Sequence, residues 1–177
     1  MEIRDAVESD FAAITAIYND ILTNSTAIYS DQPATLEQRI AWWRERQRRE
    51  YPVLVAIERD TFLGFASFGD FRTWPGYRYT VECTIHLDRA ARGRGIGTEL
   101  MTQLIRHARD LGKHVMIAGV DSENIASLRF FERLGFERVA YLPEVGHKFG
   151  RFLNLHMLQY WLTPRNDSTE SGPADHP

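Results

Sequence analysis

A glycine-rich segment, Arg92-Gly93-Arg94-Gly95-Ile96-Gly97, constrains the fold of this chain most, because of the elements on either side of it. Before it, polar and apolar residues alternate over residues 79–87, and this alternation predicts a strand. After it, apolar residues recur at helical spacing, at Leu100, Leu104, Ala108 and Leu111. A glycine loop between a strand and a helix directs backbone N–H groups and the positive end of the helix dipole at an anion. The sequence therefore predicts a pyrophosphate site.

Three phosphate-loop patterns can be compared with this segment. A P-loop requires a lysine after its glycines, and none follows here. A dinucleotide fingerprint requires a third glycine where Thr98 stands, although Asp121 lies about where a ribose-binding acid is expected. That alternative is therefore weakened. The pattern [Q/R]-x-x-G-x-[G/A] is matched at every defined position, by Arg92, Gly95 and Gly97.

The matched pattern resembles the acetyl-CoA pyrophosphate loop of the GNAT superfamily of acyl-CoA-dependent N-acetyltransferases. Five further segments are similar to one branch of it, the phosphinothricin and methionine sulfoximine N-acetyltransferase family. In chain order they are Ile17-Tyr18-Asn19-Asp20, Tyr79-Thr80-Val81-Glu82, Glu123-Asn124-x-Ala126-Ser127-x-Arg129, Leu134-Gly135-Phe136 and Val145-Gly146-His147-Lys148-Phe149-Gly150-Arg151. The likeness covers residues 2–162, and five segments in the right order are more specific than the loop alone.

The resemblance implies the GNAT acyl-CoA N-acyltransferase fold. This is an α/β (α+β) architecture with a mixed central sheet of about seven strands flanked by about four helices, here in one domain over residues 1–163. It also implies a homodimeric enzyme that moves acetyl from acetyl-CoA, by direct attack, to the α-amine of a small amino-acid-like acceptor such as methionine sulfoximine, methionine sulfone or phosphinothricin. Two alternatives stay open: a different amine (a peptide N-terminus, a polyamine or an aminoglycoside), and a non-catalytic acyl-CoA-binding sensor.

Composition narrows the class of protein further. The 177 residues, 44% of them apolar, suffice for one domain with a sizeable core, and a net charge of −3 without a basic stripe gives no support for nucleic-acid binding. No apolar run has transmembrane length, residues 1–20 do not resemble a signal peptide, and Cys83 is the single cysteine. We therefore expect a cytoplasmic protein, no membrane partner and a buried structural thiol. Six histidines without ligand spacing predict no metal site, and residues 164–177 are expected to form a disordered tail.

The periodicities predict the element order β-α-α-β-β-β-α-β-α-β-β. Strands are predicted at residues 2–6, 53–58, 62–70, around Glu82, and at 114–120, 136–142 and 152–161. Helices are predicted after Ser9 as N-cap, from a Thr35/Gln38 capping box to about Arg49, from the glycine loop to a C′ residue at Gly112, and over residues 124–134.

Glu82 is the candidate general base. Alternation along its strand places four polar side chains on one face: Thr80, Glu82, Thr84 and His86. An amine is mostly protonated at neutral pH, so a base must accept its proton, and partial burial would raise the pKa of Glu82 toward neutrality. The resemblance places the family's general-base glutamate in the same Thr-Val-Glu motif. The alternative is a carboxylate paired with Arg72 or Arg78.

Cofactor contacts are predicted along the strand, the loop and the second helix after it. The resemblance implies that Ile85, His86 and Leu87 bind pantetheine amides through their backbone, where an ordinary sheet ladder is the alternative. The pyrophosphate cradle comprises Gly93, Arg94, Gly95, Ile96, Gly97 and Thr98, with Arg92 and Arg94 either adding charge or being solvated. Asn124 either binds the CoA arm, as in the family, or caps its helix, and Ser127 is the weaker candidate beside it.

One position departs from the family pattern. Many superfamily members have a tyrosine four residues before the Gly-Phe pair, where it protonates the leaving thiolate, and the nearer family has a histidine. Here that residue is Phe131, which has no proton to donate. No general acid is assigned.

Acceptor contacts are predicted around two turns. Arg72 either binds a substrate carboxylate through its guanidinium or is a surface arginine. Trp74 and Tyr79 either wall a pocket for a compact side chain or pack in the core. Lys148 is placed in a hairpin on the acceptor side, where its charge meets the substrate or keeps the turn soluble. The adjacent Trp42 and Trp43 cannot both be buried equally by a helix, so one of them is expected to face a partner subunit.

Overall fold

The structure, a computed structural model, describes residues 1–165 of the 177-residue chain. The predicted tail lies outside the described residues except for its first two. Four α-helices are present over this range: α1 (Phe11–Asn24), α2 (Leu36–Arg48), α3 (Ile96–Asp110) and α4 (Ile125–Arg133). Seven strands accompany them: β1 (Glu2–Asp5), β2 (Val53–Glu58), β3 (Thr61–Asp70), β4 (Thr80–Leu87), β5 (Val115–Asp121), β6 (Glu137–Lys148) and β7 (Arg151–Trp161). The predicted order of elements is confirmed, and no helix within residues 1–165 is long and apolar enough to cross a membrane.

All seven strands form one sheet in the order β1-β2-β3-β4-β5-β7-β6. Every neighbouring pair is antiparallel except β4 and β5, which run parallel. This mixed sheet with four helices confirms the predicted fold class.

Each face of the sheet has its own apolar layer. On one face α3 and α4 pack against the inward residues of the central strands, including Val81, Cys83 and Met116. On the other face α1 packs against Val53, Val55 and other residues of β2 and β3. The side chains of β4 therefore alternate as predicted: those of odd-numbered residues lie toward the α3 layer and those of even-numbered residues toward the other face.

The capping chemistry confirms most helix boundaries. At α2, Thr35 Oγ1 accepts from the Gln38 N–H at 3.2 Å and Gln38 Oε1 accepts from the Thr35 N–H at 2.9 Å, which is the predicted capping box. Gly112 follows α3 with φ +66°, as expected of a C′ glycine. Ser9 does not cap α1, because it lies inside a 3-10 turn (Glu8–Asp10) and Asp10, paired with Arg4 at 2.7 Å, precedes the helix.

Strand β6 is longer than predicted. The sequence prediction ended at Leu142, before Pro143, but β6 continues to Lys148. Its register with β7 shifts between Leu142 and Gly146, and Glu144 has φ +53°. A bulge thus accommodates the proline, which cannot donate a backbone hydrogen bond, and the strand resumes after it.

Candidate active site

Strands β4 and β5 separate in the middle of the sheet. Their ladder ends at the pair Glu82–Ile117, while β4 remains paired with β3 to Leu87 and β5 remains paired with β7 to Asp121. Residues 83–87 of β4 therefore have no partner on the β5 side of the ladder. The alternative of an ordinary sheet ladder is therefore not observed on this side of residues 85–87, and the binding of a pantetheine arm in this gap stays a prediction.

Two adjoining cavities lie at the gap. The first, of about 330 Å³, is lined by Arg39, Glu82, Thr84, His86, Gly119 and Asp121 among others, and is called the Glu82 cavity below. The second, of about 320 Å³, is lined by Leu87, Arg92, Gly93 and Arg133 among others, and is called the glycine-loop cavity. Ile85, Asn124, Ser127 and Phe130 line both. The general-base candidate and the phosphate-loop candidate are thus neighbours in space.

Glu82 presents a half-buried carboxylate to its cavity. Its side chain forms no hydrogen bond or ion pair with the residues of the described chain, so the predicted alternative of pairing with Arg72 or Arg78 is not observed. Burial raises the pKa of this carboxyl above its ordinary value, and the charge of Arg72 offsets part of that rise. Opposite it, a Cβ added at Gly119 would lie 3.4 Å from Glu82 Oε1, so the missing side chain keeps space open beside the carboxylate.

His86 lies deeper in the same cavity. Its ring packs edge-on against Phe65, with centroids 5.4 Å apart, and against Tyr18, with centroids 6.1 Å apart. Burial lowers the pKa of His86 to about 4, so the ring is neutral at pH 7. Its side chain lines the cavity, and the backbone contacts predicted for Ile85, His86 and Leu87 stay a prediction.

The glycine loop is open toward solvent and begins α3. Gly93 and Gly95 have φ of +74° and +81°, and a Cβ added at either would meet nothing within 4 Å. Gly97 is buried instead, and a Cβ there would lie 3.2 Å from Phe130 and 3.3 Å from Leu87. Positive φ favours glycine at the first two positions, while the third glycine is needed for close packing.

The other loop residues contribute differently. Ile96 is 2% exposed, so only its backbone can face a ligand, and Thr98 is exposed in the first turn of α3. Arg94 pairs with Glu58 at 2.6 Å, and Arg92 is exposed with Nη2 3.5 Å from the Leu87 carbonyl oxygen. Of the two arginines, Arg92 lines the glycine-loop cavity and is the one available to a phosphate.

Asn124 and Phe131 both follow β5. Asn124 Oδ1 accepts from the Ser127 N–H at 3.1 Å, which confirms the helix-cap alternative, and Asn124 also lines both cavities. Phe131 is 6% exposed and packs between Phe130 and Phe136, with centroids 5.2 and 5.0 Å away. Cys83 is buried, and burial raises the pKa of its thiol, as expected for a structural cysteine.

Lys148 corrects the predicted acceptor site. It is 1% exposed, and its Nζ donates to the carbonyl oxygens of Leu22, Ser25 (2.9 Å) and Ile28 (2.7 Å). All three ammonium protons are used, so both expectations, a substrate contact and a solubilising charge, are wrong. Lys148 instead attaches the segment after α1, which lines the Glu82 cavity through Ala27 and Ile28, to the β6–β7 hairpin.

The other predicted acceptor residues lie outside both cavities. Trp74 is 71% exposed and Tyr79 is 52% exposed. Arg72 is exposed, with its guanidinium 4.3 Å from the Phe71 ring and Nη1 donating to the Phe71 carbonyl at 3.1 Å. The structure does not bring these three to the wall of the Glu82 cavity, and their contact with an acceptor stays a prediction.

Sequence reasoning assigned neither Arg39 nor Asp121 to this cavity. Arg39 is 8% exposed and lines the Glu82 cavity; the available signal was an arginine within the apolar stripe of α2, between Leu36 and Trp43. Asp121 was considered as a ribose-binding acid, but it ends β5 at the Glu82 cavity and is 3% exposed. Its Oδ1 accepts from the Glu123 N–H at 2.7 Å, and its Oδ2 has no partner within the described chain.

Trp42 and Trp43 are both half-buried. Trp42 stacks on the Arg39 guanidinium, 4.1 Å from its Cζ, and lines the Glu82 cavity. Trp43 packs on Phe11 with centroids 4.9 Å apart. Each therefore packs against residues of its own chain, and the expectation that one of them faces a partner subunit stays a prediction.

Comparisons with known proteins agree with this geometry. The model of the acetyltransferase (GNAT) family matches residues 13–136. The chain is 46% identical over 162 residues to the L-methionine sulfoximine/L-methionine sulfone acetyltransferase of Salmonella typhimurium, covering 92% of this chain and 95% of that one. It is 44% identical to the L-amino acid N-acyltransferase MnaT of Escherichia coli, covering 97% and 100%.

Solved structures agree as well. The yncA protein from Salmonella typhimurium with its cofactor acetyl-CoA superposes with a TM-score of 0.91 at 44% identity, over 98% of each chain. The phosphinothricin acetyltransferase from Sinorhizobium meliloti in complex with AcCoA gives 0.88 at 31% identity, over 98% of this chain and 93% of that one. With its splayed sheet, its glycine loop and these relatives, the chain belongs to the acetyltransferase (GNAT) family.

Proposed function

We propose that this protein transfers the acetyl group of acetyl-CoA to the α-amine of a small amino-acid-like acceptor, with Glu82 as general base. The observation that carries the proposal is the position of Glu82: unpaired, half-buried, and located where β4 leaves β5, in the cavity that adjoins the glycine loop. Methionine sulfoximine, methionine sulfone and phosphinothricin are the acceptors that the names of the relatives support.

The residues at the gap fit acetyl-CoA. The loop from Gly93 to Thr98 offers backbone N–H groups at the N-terminus of α3, with open space above two glycines for a pyrophosphate. The unpaired backbone of Ile85 to Leu87 suits the amides of an extended arm. Acetyl-CoA would supply the acetyl group, activated as a thioester.

Glu82 would make the acceptor nitrogen nucleophilic. An α-amine is mostly protonated at neutral pH, and a carboxylate whose pKa is raised by burial is a stronger base than an exposed one. The proton moves from the nitrogen to a carboxylate oxygen of Glu82, directly or through one water. Phe131 has no proton to donate to the leaving thiolate. A CoA thiolate is stable enough to leave without a general acid and is then protonated by solvent.

A homodimer is part of the proposal. The hairpin of β6 and β7 exposes a group of large apolar side chains on the outer edge of the sheet: Val139, Tyr141, Val145, Phe149 and Phe152. Each is more than half exposed, and exposed large apolar side chains at this density support an interaction surface on the hairpin. Sedimentation velocity of the purified chain tests this, and a monomer at micromolar concentration would contradict it.

The function is tested by CoA release from acetyl-CoA against a panel of acceptors. The panel contains methionine sulfoximine, methionine sulfone and phosphinothricin, with spermidine, an aminoglycoside and short peptides as controls. We expect saturable turnover on the first group alone. Turnover on the controls alone would reject the acceptor class, and binding of acetyl-CoA without turnover on any amine would favour the acyl-CoA sensor.

A further inference from the structure

The segment that follows α1 forms a wall of both cavities. Residues 25–29 have no regular secondary structure and are called the shared wall below. Ala27 lines both cavities, Ser25 lines the glycine-loop cavity, and Ile28 lines the Glu82 cavity. A displacement of this segment therefore changes the shape of both cavities at once.

Lys148 fixes the shared wall on both sides of Ala27. Its Nζ donates to the carbonyl oxygen of Ser25 at 2.9 Å and to that of Ile28 at 2.7 Å. The third hydrogen bond of the ammonium group goes to the carbonyl oxygen of Leu22 in α1. A single buried group thus sets the spacing between a residue at one cavity and a residue at the other.

Tyr29 attaches the shared wall to the same hairpin a second time. Its hydroxyl donates to the Asn154 carbonyl oxygen on β7 at 3.1 Å, and burial raises the pKa of Tyr29 to about 12, so the proton is retained at neutral pH. The ring lies against Gly146 on β6, where an added Cβ would stand 2.3 Å from two ring carbons. Gly146 does not have a positive φ, so packing against Tyr29 is what requires a glycine there.

The other hydrogen bonds of the shared wall are local. Ser25 Oγ donates to the Ile21 carbonyl oxygen at 2.7 Å and accepts from the Ala27 N–H at 3.2 Å. Among the described residues, only the two attachments above join the segment to the sheet by hydrogen bonds. The position of the shared wall relative to the sheet therefore depends on the β6–β7 hairpin.

We propose that Lys148 and Tyr29 are positioning residues that hold the shared wall in place for both ligands, an inference that rests on the proposed function for the identity of those ligands. Neither residue lines a cavity, so each acts through the backbone that it holds. The proposal gives a role to two positions of the hairpin motif: Gly146 admits the Tyr29 ring, and Lys148 binds the carbonyl groups.

A wall that two cavities share couples their ligands once it is loosened. When the wall is in place for only a fraction of the time, the apparent Kd of each ligand rises by the inverse of that fraction. The first ligand to bind then removes this penalty for the second, which is positive cooperativity. The two ligands should therefore be more strongly coupled in a variant that releases the wall than in the parent chain.

The experiment measures the Kd of CoA and of methionine sulfone by calorimetry, each alone and each with the other ligand saturating. Lys148→Met removes the three donors, and should raise both Kd values by a similar factor, roughly tenfold for a wall in place a tenth of the time. With the other ligand saturating, each Kd should return close to that of the parent. At saturation with acetyl-CoA and acceptor, kcat should change little.

Tyr29→Phe is a milder variant with a matched control. It keeps the ring on Gly146, loses one hydrogen bond, and should raise both Kd values by roughly two- to fivefold. Tyr51→Phe is the control, because the Tyr51 hydroxyl is also buried and donates to Asp70 Oδ1 at 2.5 Å, but Tyr51 lines neither cavity. Tyr51→Phe should lower the melting temperature and leave both Kd values unchanged.

Limited proteolysis reports on the shared wall directly. Chymotrypsin cleaves after aromatic residues, and cleavage after Tyr29 requires its ring to leave the hairpin. This cleavage, identified by mass spectrometry, should be faster in Lys148→Met than in the parent or in Tyr51→Phe, because the rate follows the population of the open segment. Saturating CoA should suppress the difference.

Three results for Lys148→Met would overturn the assignment: a higher Kd for one ligand only, a higher Kd that persists when the other ligand is saturating, and unchanged Kd values. If this variant does not fold, equal Kd values in Tyr29→Phe and Tyr51→Phe reject the proposal instead. If methionine sulfone does not bind the parent, the proposed acceptor class fails, and the Kd of CoA together with cleavage after Tyr29 still decides the role of Lys148.

Discussion

The two sides of the gap, the glycine loop and the Glu82 cavity (below, the loop side and the acceptor side), are built in different ways. On the loop side, the backbone at Gly93 and Gly95 faces open space, Ile96 and Gly97 are buried, and the local shape depends on glycine conformation. On the acceptor side, the wall comes from α1, α2, β4 and β5, and buried charges at Arg39, Asp121 and Lys148 organise it. The first side should thus be sensitive to backbone changes and the second to the removal of single charges.

The largest expected effect is at Glu82, where both sides meet. Glu82→Gln should lower kcat by roughly 10²–10⁴-fold while acetyl-CoA binding is kept. CoA release measures kcat, and calorimetry measures the binding of acetyl-CoA. Glu2→Gln, on the edge strand β1, is the control and should be neutral. Equal turnover by Glu82→Gln and the parent would remove Glu82 from the chemistry.

The same variant gives a test in pH. The raised pKa of Glu82 places the rising limb of kcat/KM above the ordinary glutamate value of 4.5, and this limb should vanish in Glu82→Gln. A raised pKa in the folded state means that folding favours the neutral form, so stability from this group is lost as pH rises through that pKa. At neutral pH the Gln variant should therefore unfold at a higher denaturant concentration than the parent.

The next effect concerns the acceptor wall. Lys148→Met leaves three buried carbonyl groups without their donor, and we expect a loss of about 3 kcal/mol in the free energy of unfolding. That corresponds to a melting temperature lower by roughly 6–12 °C in a chain of this size. Arg151→Met, on the same hairpin, is the control, because the ion pair of Arg151 with Glu123 is exposed and contributes little. Equal melting temperatures for the two variants would contradict the role given to Lys148.

The smallest expected effect comes from substituting a glycine of the phosphate loop. Gly95 and Gly112 lie at opposite ends of α3 with φ of +81° and +66°, both with open space where a Cβ would stand. Replacing either with alanine should cost about 1–2 kcal/mol of stability through the left-handed backbone alone. Only Gly95→Ala should also raise KM for acetyl-CoA, by roughly tenfold, since it adds a side chain at the phosphate loop. A similar rise for Gly112→Ala would show that the effect is global.

The same contrast explains how far the sequence could lead. The strand, glycine loop and helix are adjacent in the chain, so alternation, glycine spacing and helical periodicity are enough to predict them. Arg39 and Lys148 gave no such signal, because their partners are distant: Nζ of Lys148 binds carbonyl groups more than 100 residues away. A lysine in a glycine-flanked hairpin is typical of a solvated turn, and only the packing of α1 against that hairpin buries it.

The short ladder between β4 and β5 has a thermodynamic consequence. Only three residue pairs join β1–β4 to β5–β7 through the sheet, and beyond them each half has a free interior edge. An extended molecule with amide groups along its length would add hydrogen bonds to those edges and join the halves into one cooperative unit. At a concentration 100 times its Kd, such a ligand stabilises the folded state by about 2.7 kcal/mol, and amide protons of β4 and β5 would then exchange together.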